Sequence, residues 1–155
     1  MLTQKVERWL PYRPEQLFDL AADVERYPEF LRWWLAARVR DREASAYRTD
    51  QVLGLGPIRV RFASKTVLHR PQRIDVTSDE WPFRQFGLSW IFEPQRPAGC
   101  RVILVAELEL RSWLLQGVVD RILPAVTADI ISAFEARARR LYEPRPGVIE
   151  HPRPT

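Results

Sequence analysis

The sequence predicts an α+β fold in which a seven-stranded antiparallel sheet curls around one long C-terminal helix. Apolar residues recur every three or four positions across residues 112–142. Short segments that alternate apolar and polar residues precede them, and two short helical stretches follow the first segment. These are the periods of a helix and of half-buried strands. A chain of 155 residues is large enough for one core, so we expect one domain over 1–143 and a loose, proline-rich tail over 144–155.

The helix predicted over 112–142 has one wide apolar face. Its members are Leu115, Val119, Ile122, Val126, Ile130, Phe134 and Leu141. Pro124 has no N–H to donate to the carbonyl of Asp120, which predicts a kink or a break in the helix. A long amphipathic helix requires an apolar surface to lie against, and the predicted sheet supplies it.

The N-terminal third begins with a strand over Leu2–Leu10. Its inward face carries Leu2, Val6, Arg8 and Leu10. Pro14–Ala22 is predicted as a short helix because proline suits a first helical position. Residues 23–30 form a second short helical turn, which Pro28 is expected to break.

Six further segments alternate with a period of two, and short turns join them, which predicts consecutive antiparallel pairing. A hairpin turn is expected at Gly54, Gly56 and Pro57. The opposite faces are charged, as in a sheet with one side in water. The predicted inward residues are Trp33, Leu35, Ala37 and Val39; Tyr47, Thr49, Gln51 and Leu53; Ile58, Val60, Phe62, Ser64, Thr66 and Leu68; Ile74 and Val76; Phe86, Leu88, Trp90 and Phe92; and Val102, Leu104, Ala106, Leu108 and Leu110.

The charge balance is basic, with a formal net charge of +4 and a pI of about 9.7. Nearly all cations are arginine, which binds phosphate and carboxylate in a planar, bidentate way. One strand face carries Arg38, Arg40 and Arg42 and is a candidate polyanion surface. The alternatives are an ordinary solvated strand face and a genomic bias toward arginine.

Composition also limits the cellular setting. One cysteine, Cys100, rules out an internal disulfide, and the chain has neither an apolar run of membrane-spanning length nor a secretory signal. We expect a cytoplasmic protein that could also sit at the periphery of a membrane.

No catalytic or metal site is predicted. His69 is expected to point outward and His151 lies in the tail, and neither has nucleophile or carboxylate partners in the pattern. Cys100 suits a small core position. Glu107 and Glu109 share the charged strand face, away from the core. No cluster has metal-ligand spacing.

A ligand pocket between sheet and helix is the better-supported expectation, because a curved sheet under a helix leaves a concavity. Several inward residues are polar, and buried polar groups are costly unless paired. The alternatives are a solid core and polar groups that pair with one another. The candidate pocket residues are Arg8, Phe18, Tyr27, Phe30, Trp33, Thr49, Gln51, Phe62, Ser64, Thr66, Trp90, Phe92, Ile122, Val126 and Ile130.

Several runs carry a family resemblance. They are LPYRPEQLFDL at 10–20, ADVERYPEFL at 22–31, WPFR at 81–84, WIFEP at 90–94, CRV at 100–102 and AFEARA at 133–138. The chain resembles the coenzyme Q-binding START-like family, within the SRPBCC superfamily. That family includes the bacterial ribosome-association toxins (RatA), and older labels for it are polyketide cyclase/dehydrase. The chain departs from the family where Trp33 and Trp34 follow Arg32, and where Trp81 replaces a glycine; both changes add bulk near the expected pocket rim.

The resemblance implies a START-like helix-grip domain that holds a hydrophobic small molecule, such as an isoprenoid quinone or another lipid, without catalysis. The alternative is a RatA-like protein that binds ribosomal RNA and blocks subunit association, and a cyclase-like enzyme ranks third. No covalent cofactor and no DNA partner are expected. The expected partners are a hydrophobic small molecule, the ribosome or a membrane surface.

Overall fold

The computed structural model describes residues 2–143, so the tail predicted over 144–155 lies outside the described residues. The predicted α+β fold is confirmed: one seven-stranded antiparallel sheet is covered by a long C-terminal helix. A 3₁₀ helix spans Val24–Glu29. The remaining elements are β1 Leu2–Leu10, α1 Pro14–Ala22, β2 Trp34–Arg40, β3 Ala46–Leu55, β4 Ile58–His69, β5 Arg73–Ser78, β6 Phe83–Pro94, β7 Cys100–Leu110 and α2 Trp113–Tyr142.

Strands β2 to β7 form an antiparallel meander, and β1 adds to its far edge. The strand order is β1-β7-β6-β5-β4-β3-β2, with Leu2 opposite Leu108 and Leu10 opposite Cys100. The first strand therefore pairs with the last, and α1 and the 3₁₀ helix carry the chain from β1 to β2 at the opposite edge. This crossing places both short helices over the same face of the sheet as α2.

The alternation of side chains predicts most of the inward face correctly. Tyr47, Thr49, Gln51 and Leu53 of β3 are all buried, and so are the even-numbered positions from 86 to 92 in β6 and from 100 to 110 in β7. This follows from the two-residue period of a strand, which sends alternate side chains to one side.

Strand β2 departs from the prediction. A bulge between Trp34 and Ala36 shifts the register, so Trp34 is buried while Leu35, predicted to face inward, is 43% exposed. A bulge adds one residue to one strand, which reverses the inside and outside positions before it. The 3₁₀ helix also runs through Pro28 without the expected break.

Helix α2 is continuous through Pro124, so the predicted break is wrong. Ser112 caps its start by accepting a hydrogen bond from the Leu115 N–H. Its buried positions are Val119, Leu123, Val126, Thr127, Ile130, Ile131, Phe134 and Ala138. Leu141, predicted on this face, is 53% exposed. At this end of the helix Ala138 is buried and Tyr142 is half-buried instead.

Helix α2 lies closest to β1 and β7. The ring of Phe134 packs on Trp90 with centroids 4.7 Å apart, and both residues are almost fully buried. Arg8 of β1 pairs with Glu135 at 2.8 Å on the margin of this contact. None of the helices among residues 2–143 is both long and apolar enough to cross a bilayer.

Truncation of Phe134 tests this packing. We expect Phe134→Ala to lower the free energy of unfolding by about 3–5 kcal/mol, because it removes a buried ring and leaves a cavity against Trp90. Leu141→Ala, on the same helix but exposed, should change it by less than about 0.5 kcal/mol. Urea denaturation measures both, and equal stability of the two variants would contradict the packing described.

Candidate ligand-binding site

Four polar side chains lie together inside an otherwise apolar interior. Thr49 and Gln51 come from β3, and Ser64 and Thr66 come from the neighbouring β4, and all four are buried. Thr49 stands opposite Ser64 in the strand register. The strand period brings them to one wall, so the sheet has a polar strip where its other inward positions are apolar.

Part of this strip belongs to a chain of two hydrogen bonds. The indole N–H of Trp34 donates to Gln51 Oε1 over 2.9 Å, and Gln51 Nε2 donates to Ser64 Oγ over 2.7 Å. These partners satisfy the Gln51 amide in a buried setting, where an unpaired amide would be costly. The chain fixes the Gln51 side chain against the sheet.

Thr49 is different because its hydroxyl lacks a hydrogen-bond partner within the described part of the chain. The indole N–H groups of Trp33 and Trp90 are also buried without a hydrogen bond of good geometry among residues 2–143, although the Trp90 N–H lies close enough to the Tyr27 hydroxyl to offset part of the rise that burial causes in the pKa of Tyr27. Leaving such a group unpaired costs about 1–3 kcal/mol. Of these three groups, the Thr49 hydroxyl is the one that belongs to the polar strip.

The Thr49 hydroxyl lines an internal cavity between the sheet and the N-terminal helices. Its volume of about 10 Å³ is enough for about one water molecule. No residue of α2 lines it. The lining comes from Ala21, Val24, Tyr27 and Trp34 on the helix side and from Tyr47, Thr49, Gln51, Ser64, Thr66, Ile74, Val76, Phe86 and Leu88 on the sheet side.

The segment over this cavity, residues 24–34, is called the cover below. Two tyrosines tie the start of the cover in place: the Tyr27 hydroxyl donates to the Ala21 carbonyl, and the Tyr47 hydroxyl donates to the Ala22 carbonyl over 2.7 Å. Burial raises the pKa of Tyr27 well above its usual value and raises the pKa of Tyr47 to about 12. Both hydroxyls therefore remain protonated donors at neutral pH.

The outer side of the cover is fastened to α2 by ion pairs. Arg32 contacts Asp129 at 2.7 Å, and Arg137 contacts Glu29 at 2.9 Å. The Arg32 guanidinium also lies 4.6 Å from the centre of the Trp33 ring. A surface groove of about 300 Å³ runs between the cover and α2 at this place. The Arg32–Asp129 pair is exposed and contributes little stability. The Arg137 side chain is only 16% exposed and also lies 5.2 Å from the centre of the Phe30 ring, so it holds the cover more firmly.

The predicted pocket residues divide into four groups. Tyr27, Thr49, Gln51, Ser64 and Thr66 line the internal cavity, and Phe30 and Trp33 line the groove beside the cover. Arg8 lies apart, bonded to Glu135 and Ser132. The others belong to the core without lining the internal cavity: Phe18, Phe62, Trp90, Phe92, Ile122, Val126 and Ile130.

Sequence reasoning overlooked other lining residues for identifiable reasons. Tyr47 alternates with Thr49 in β3, so the strand pattern predicted its inward position. The pattern could not predict its contact with α1. Trp34 enters the interior because of the bulge in β2, for which the sequence has no clear signal. Trp81, expected to add bulk at the pocket rim, is instead 70% exposed.

The outer face of the sheet carries two of the three predicted cationic residues. Arg38 and Arg40 of β2 are exposed there, and Arg40 contacts Asp50 at 3.0 Å and Asp41 at 3.3 Å. Arg42 follows β2, and its guanidinium lies 5.4 Å from the centre of the ring of the inward-facing Tyr47. In the strand register Arg40 stands beside Arg48, and Arg48 stands beside Lys65. Like charges directly opposite each other destabilise a sheet, and Arg40 is compensated by its two aspartates, so Arg48 and Lys65 are the members of this row that favour an anionic partner.

The side chains with nucleophilic or acid–base chemistry are poorly placed for it. Cys100 is fully buried, and burial raises the pKa of its thiol to about 11, which keeps it protonated. His69 is exposed, and no histidine, aspartate or glutamate lines the internal cavity.

Comparison with known proteins supports the fold and the family. The chain is 29% identical over 133 residues to the ribosome association toxin RatA of Pseudomonas aeruginosa, covering 86% of this chain and 92% of that protein. It is 27% identical over 137 residues to the mitochondrial coenzyme Q-binding protein COQ10 homolog B of Xenopus laevis, covering 86% of this chain and 56% of that protein. The solution structure of the 18 kDa protein CC1736 from Caulobacter crescentus has 31% identity and a TM-score of 0.76, covering 93% of this chain and 100% of that one.

Residues 10–135 match the sequence profile of one family, described as polyketide cyclase/dehydrase and lipid transport. This range includes the cover, every strand from β2 to β7 and most of α2, which are the elements that build and enclose the internal cavity. The protein is therefore a member of the polyketide cyclase/dehydrase and lipid transport family, with the START-like arrangement of a curved sheet and a long C-terminal helix.

Proposed function

We propose that this protein holds a hydrophobic small molecule with an oxygen-bearing polar end, an isoprenoid quinone or another lipid, between the sheet and the cover. The single observation that carries the proposal is the buried Thr49 hydroxyl, which lines an internal cavity and lacks a hydrogen-bond partner among residues 2–143. A carbonyl, ether or hydroxyl oxygen of a ligand would satisfy it.

The chemistry of the surrounding wall suits such a ligand. Ile74, Val76, Phe86 and Leu88 supply an apolar surface beside the polar strip. Trp90 is the strand partner of Ile74, so a second unpartnered donor lies next to the cavity wall. Ligand sites of this kind combine mostly apolar walls with a few well-placed polar groups.

Binding requires the interior to open. A cavity of about 10 Å³ is far below the several hundred Å³ that a ligand-sized site occupies. The cover is the proposed moving element, because the groove separates its outer side from α2 and the exposed Arg32–Asp129 pair bridges that groove. Opening would also displace the buried side chains of Tyr27, Leu31 and Trp34. Lid motion is a common way to admit a ligand.

The cavity also favours holding over catalysis. Its polar residues are hydroxyls and one amide, and the tyrosine hydroxyls stay protonated at neutral pH. A general acid or base needs a pKa near the working pH and a position within hydrogen-bond reach of the substrate. No lining group meets the first condition.

Ribosome binding is the second candidate function, and a specific observation favours it. The row formed by Arg40, Arg48 and Lys65 concentrates positive charge on the outer face, beside exposed Arg38. A relative named for ribosome association aligns over most of the chain. Ribosomal RNA is the polyanion that this similarity suggests.

The first test compares Thr49→Val with Ser64→Ala. In the ligand-free protein, Thr49→Val should raise the free energy of unfolding by about 1 kcal/mol, because it replaces an unpaired buried hydroxyl with a methyl group of equal size. Ser64→Ala should lower it by about 1–3 kcal/mol, since it leaves the Gln51 amide without an acceptor. Urea denaturation of delipidated protein measures both changes.

The same two proteins then test binding. Native mass spectrometry of the wild type is expected to show a co-purified lipid, and a short-tailed ubiquinone should quench its tryptophan emission. Thr49→Val should weaken that binding by about tenfold, the equivalent of one hydrogen bond. The proposed ligand class is wrong if the wild type carries no lipid and if ubiquinone does not change its tryptophan emission.

A further prediction concerns the cover. Arg32→Gln and Asp129→Asn each remove one partner of an exposed ion pair, so each should speed ubiquinone uptake and release by about two- to fivefold in stopped-flow quenching. Arg101→Gln, which breaks an exposed pair with Glu93 on the outer face, is the matched control and should leave the rates unchanged. Equal rates in all three variants would exclude the cover as the gate.

The ribosome alternative has its own test. Arg38→Ser, Arg48→Ser and Lys65→Ser combined should reduce heparin retention and co-sedimentation with ribosomal subunits, with a shallower dependence on salt, because fewer counterions are released. The control replaces Arg96, Arg121 and Arg140, which are exposed on other surfaces, by serine. Equal losses in both triple variants would mean that net charge alone, and not this face, drives binding.

A further inference from the structure

We propose that one end of the domain docks on the surface of an anionic lipid bilayer through Trp81, Trp113 and Leu114, called the interfacial patch below. These side chains are 70%, 85% and 66% exposed, respectively. They are the most exposed of the large hydrophobic side chains in the described part of the chain. A cluster of this kind marks an interaction site more often than scattered single residues do.

The fold holds the members of the patch side by side. Trp81 lies in the loop between β5 and β6, and Trp113 and Leu114 form the first turn of α2. The Arg111 N–H donates to the Pro82 carbonyl over 2.9 Å, and Phe83 pairs with Leu110 in the adjoining strands. The loop and the helix start are therefore fixed to each other, and the patch is a property of the folded domain.

The side-chain types match the boundary between lipid and water. Tryptophan has a large apolar ring and one N–H donor, so it is favoured at the membrane–water interface, where the ring contacts lipid and the N–H reaches water or a head group. Leu114 adds apolar area beside the rings. Partial immersion at the depth of the head groups would shield all three from water without unfolding the helix.

The charge around the patch is mixed: exposed Asp79 and Glu80 precede Trp81, and the groups that favour anionic lipids lie on the α2 side. The first turn of α2 contains no acidic residue, so the positive end of the helix dipole is not neutralised there. Arg111 precedes this turn, and its guanidinium donates to the Asp79 carbonyl over 3.2 Å, while no carboxylate lies within ion-pair distance of it among residues 2–143. Lipid phosphates would meet both groups.

The opposite end of the domain differs. Trp9 and Leu141 are each 53% exposed there, but the Trp9 ring lies against Gly99, where it fills the space of a missing side chain. The apolar surface at the two ends is thus unequal, which orients the domain with the N-terminus of α2 toward the bilayer.

A second copy of the chain is a weaker fit to the patch. Three side chains of this size expose about 500 Å² at most, whereas a stable protein interface buries about 800 Å² on each partner. A bilayer needs no matching shape and gains from each inserted ring separately. The proposal does not depend on the ligand or on ribosome binding.

The test measures co-flotation with vesicles of phosphatidylcholine alone and of phosphatidylcholine mixed equally with phosphatidylglycerol. Wild type is expected to bind the mixed vesicles. Trp113→Ser with Leu114→Ser should weaken this binding by about tenfold or more. The matched control, Trp9→Ser with Leu141→Ser, also removes one exposed tryptophan and one exposed leucine, but at the opposite end, and should bind like wild type.

Two further measurements separate the outcomes. Brominated lipids should quench part of the wild-type tryptophan emission and less of it in Trp113→Ser with Leu114→Ser, while thermal melts confirm that both variants are folded. The proposal is overturned if wild type does not bind the mixed vesicles, or if both double variants bind as wild type does. It is also overturned if sedimentation shows a wild-type dimer that the patch variant alone abolishes without any change in vesicle binding.

Discussion

The contact between α2 and the sheet is the interaction on which the rest of the structure depends. Phe134 and Trp90 meet at its centre, and α2 adds its buried stripe against β1 and β7. Strand β1 is an edge strand that pairs with β7. The contact of α2 with both strands therefore also holds the first and last segments of the chain together. Burial of these large side chains supplies much of the hydrophobic stabilisation, at about 25 cal/mol per Å² of apolar area.

The interior is divided between this apolar half and a polar half under the cover. On the α2 side, buried residues are almost entirely hydrophobic, apart from Thr127, which donates to the Leu123 carbonyl within its own helix. On the cover side, β3 and β4 place hydroxyls and an amide in the core, and Thr49 remains unpaired. A fold selected for stability alone would gain by making this position apolar, so the polar strip is the feature that stability does not explain.

The surface is divided as well, and its parts suit different partners. The outer face of the sheet gathers cations from β2, β3 and β4, whereas the end around the start of α2 exposes tryptophan and leucine. Neither surface includes the residues that line the internal cavity. The proposed ligand site inside the domain and the proposed contact surfaces outside it are therefore separate.

The sequence by itself determined the α+β fold, the long helix and most inward positions, because strand and helix periods are local properties that each segment carries. It also identified the polar residues of β3 and β4 as buried, and the exposed arginines of β2. Only the tertiary structure decided that β1 pairs with β7, that a bulge turns Trp34 inward in place of Leu35, and that the internal cavity lies under the 3₁₀ helix with no lining residue from α2. These outcomes depend on contacts between residues far apart in the chain, which periodicity cannot report.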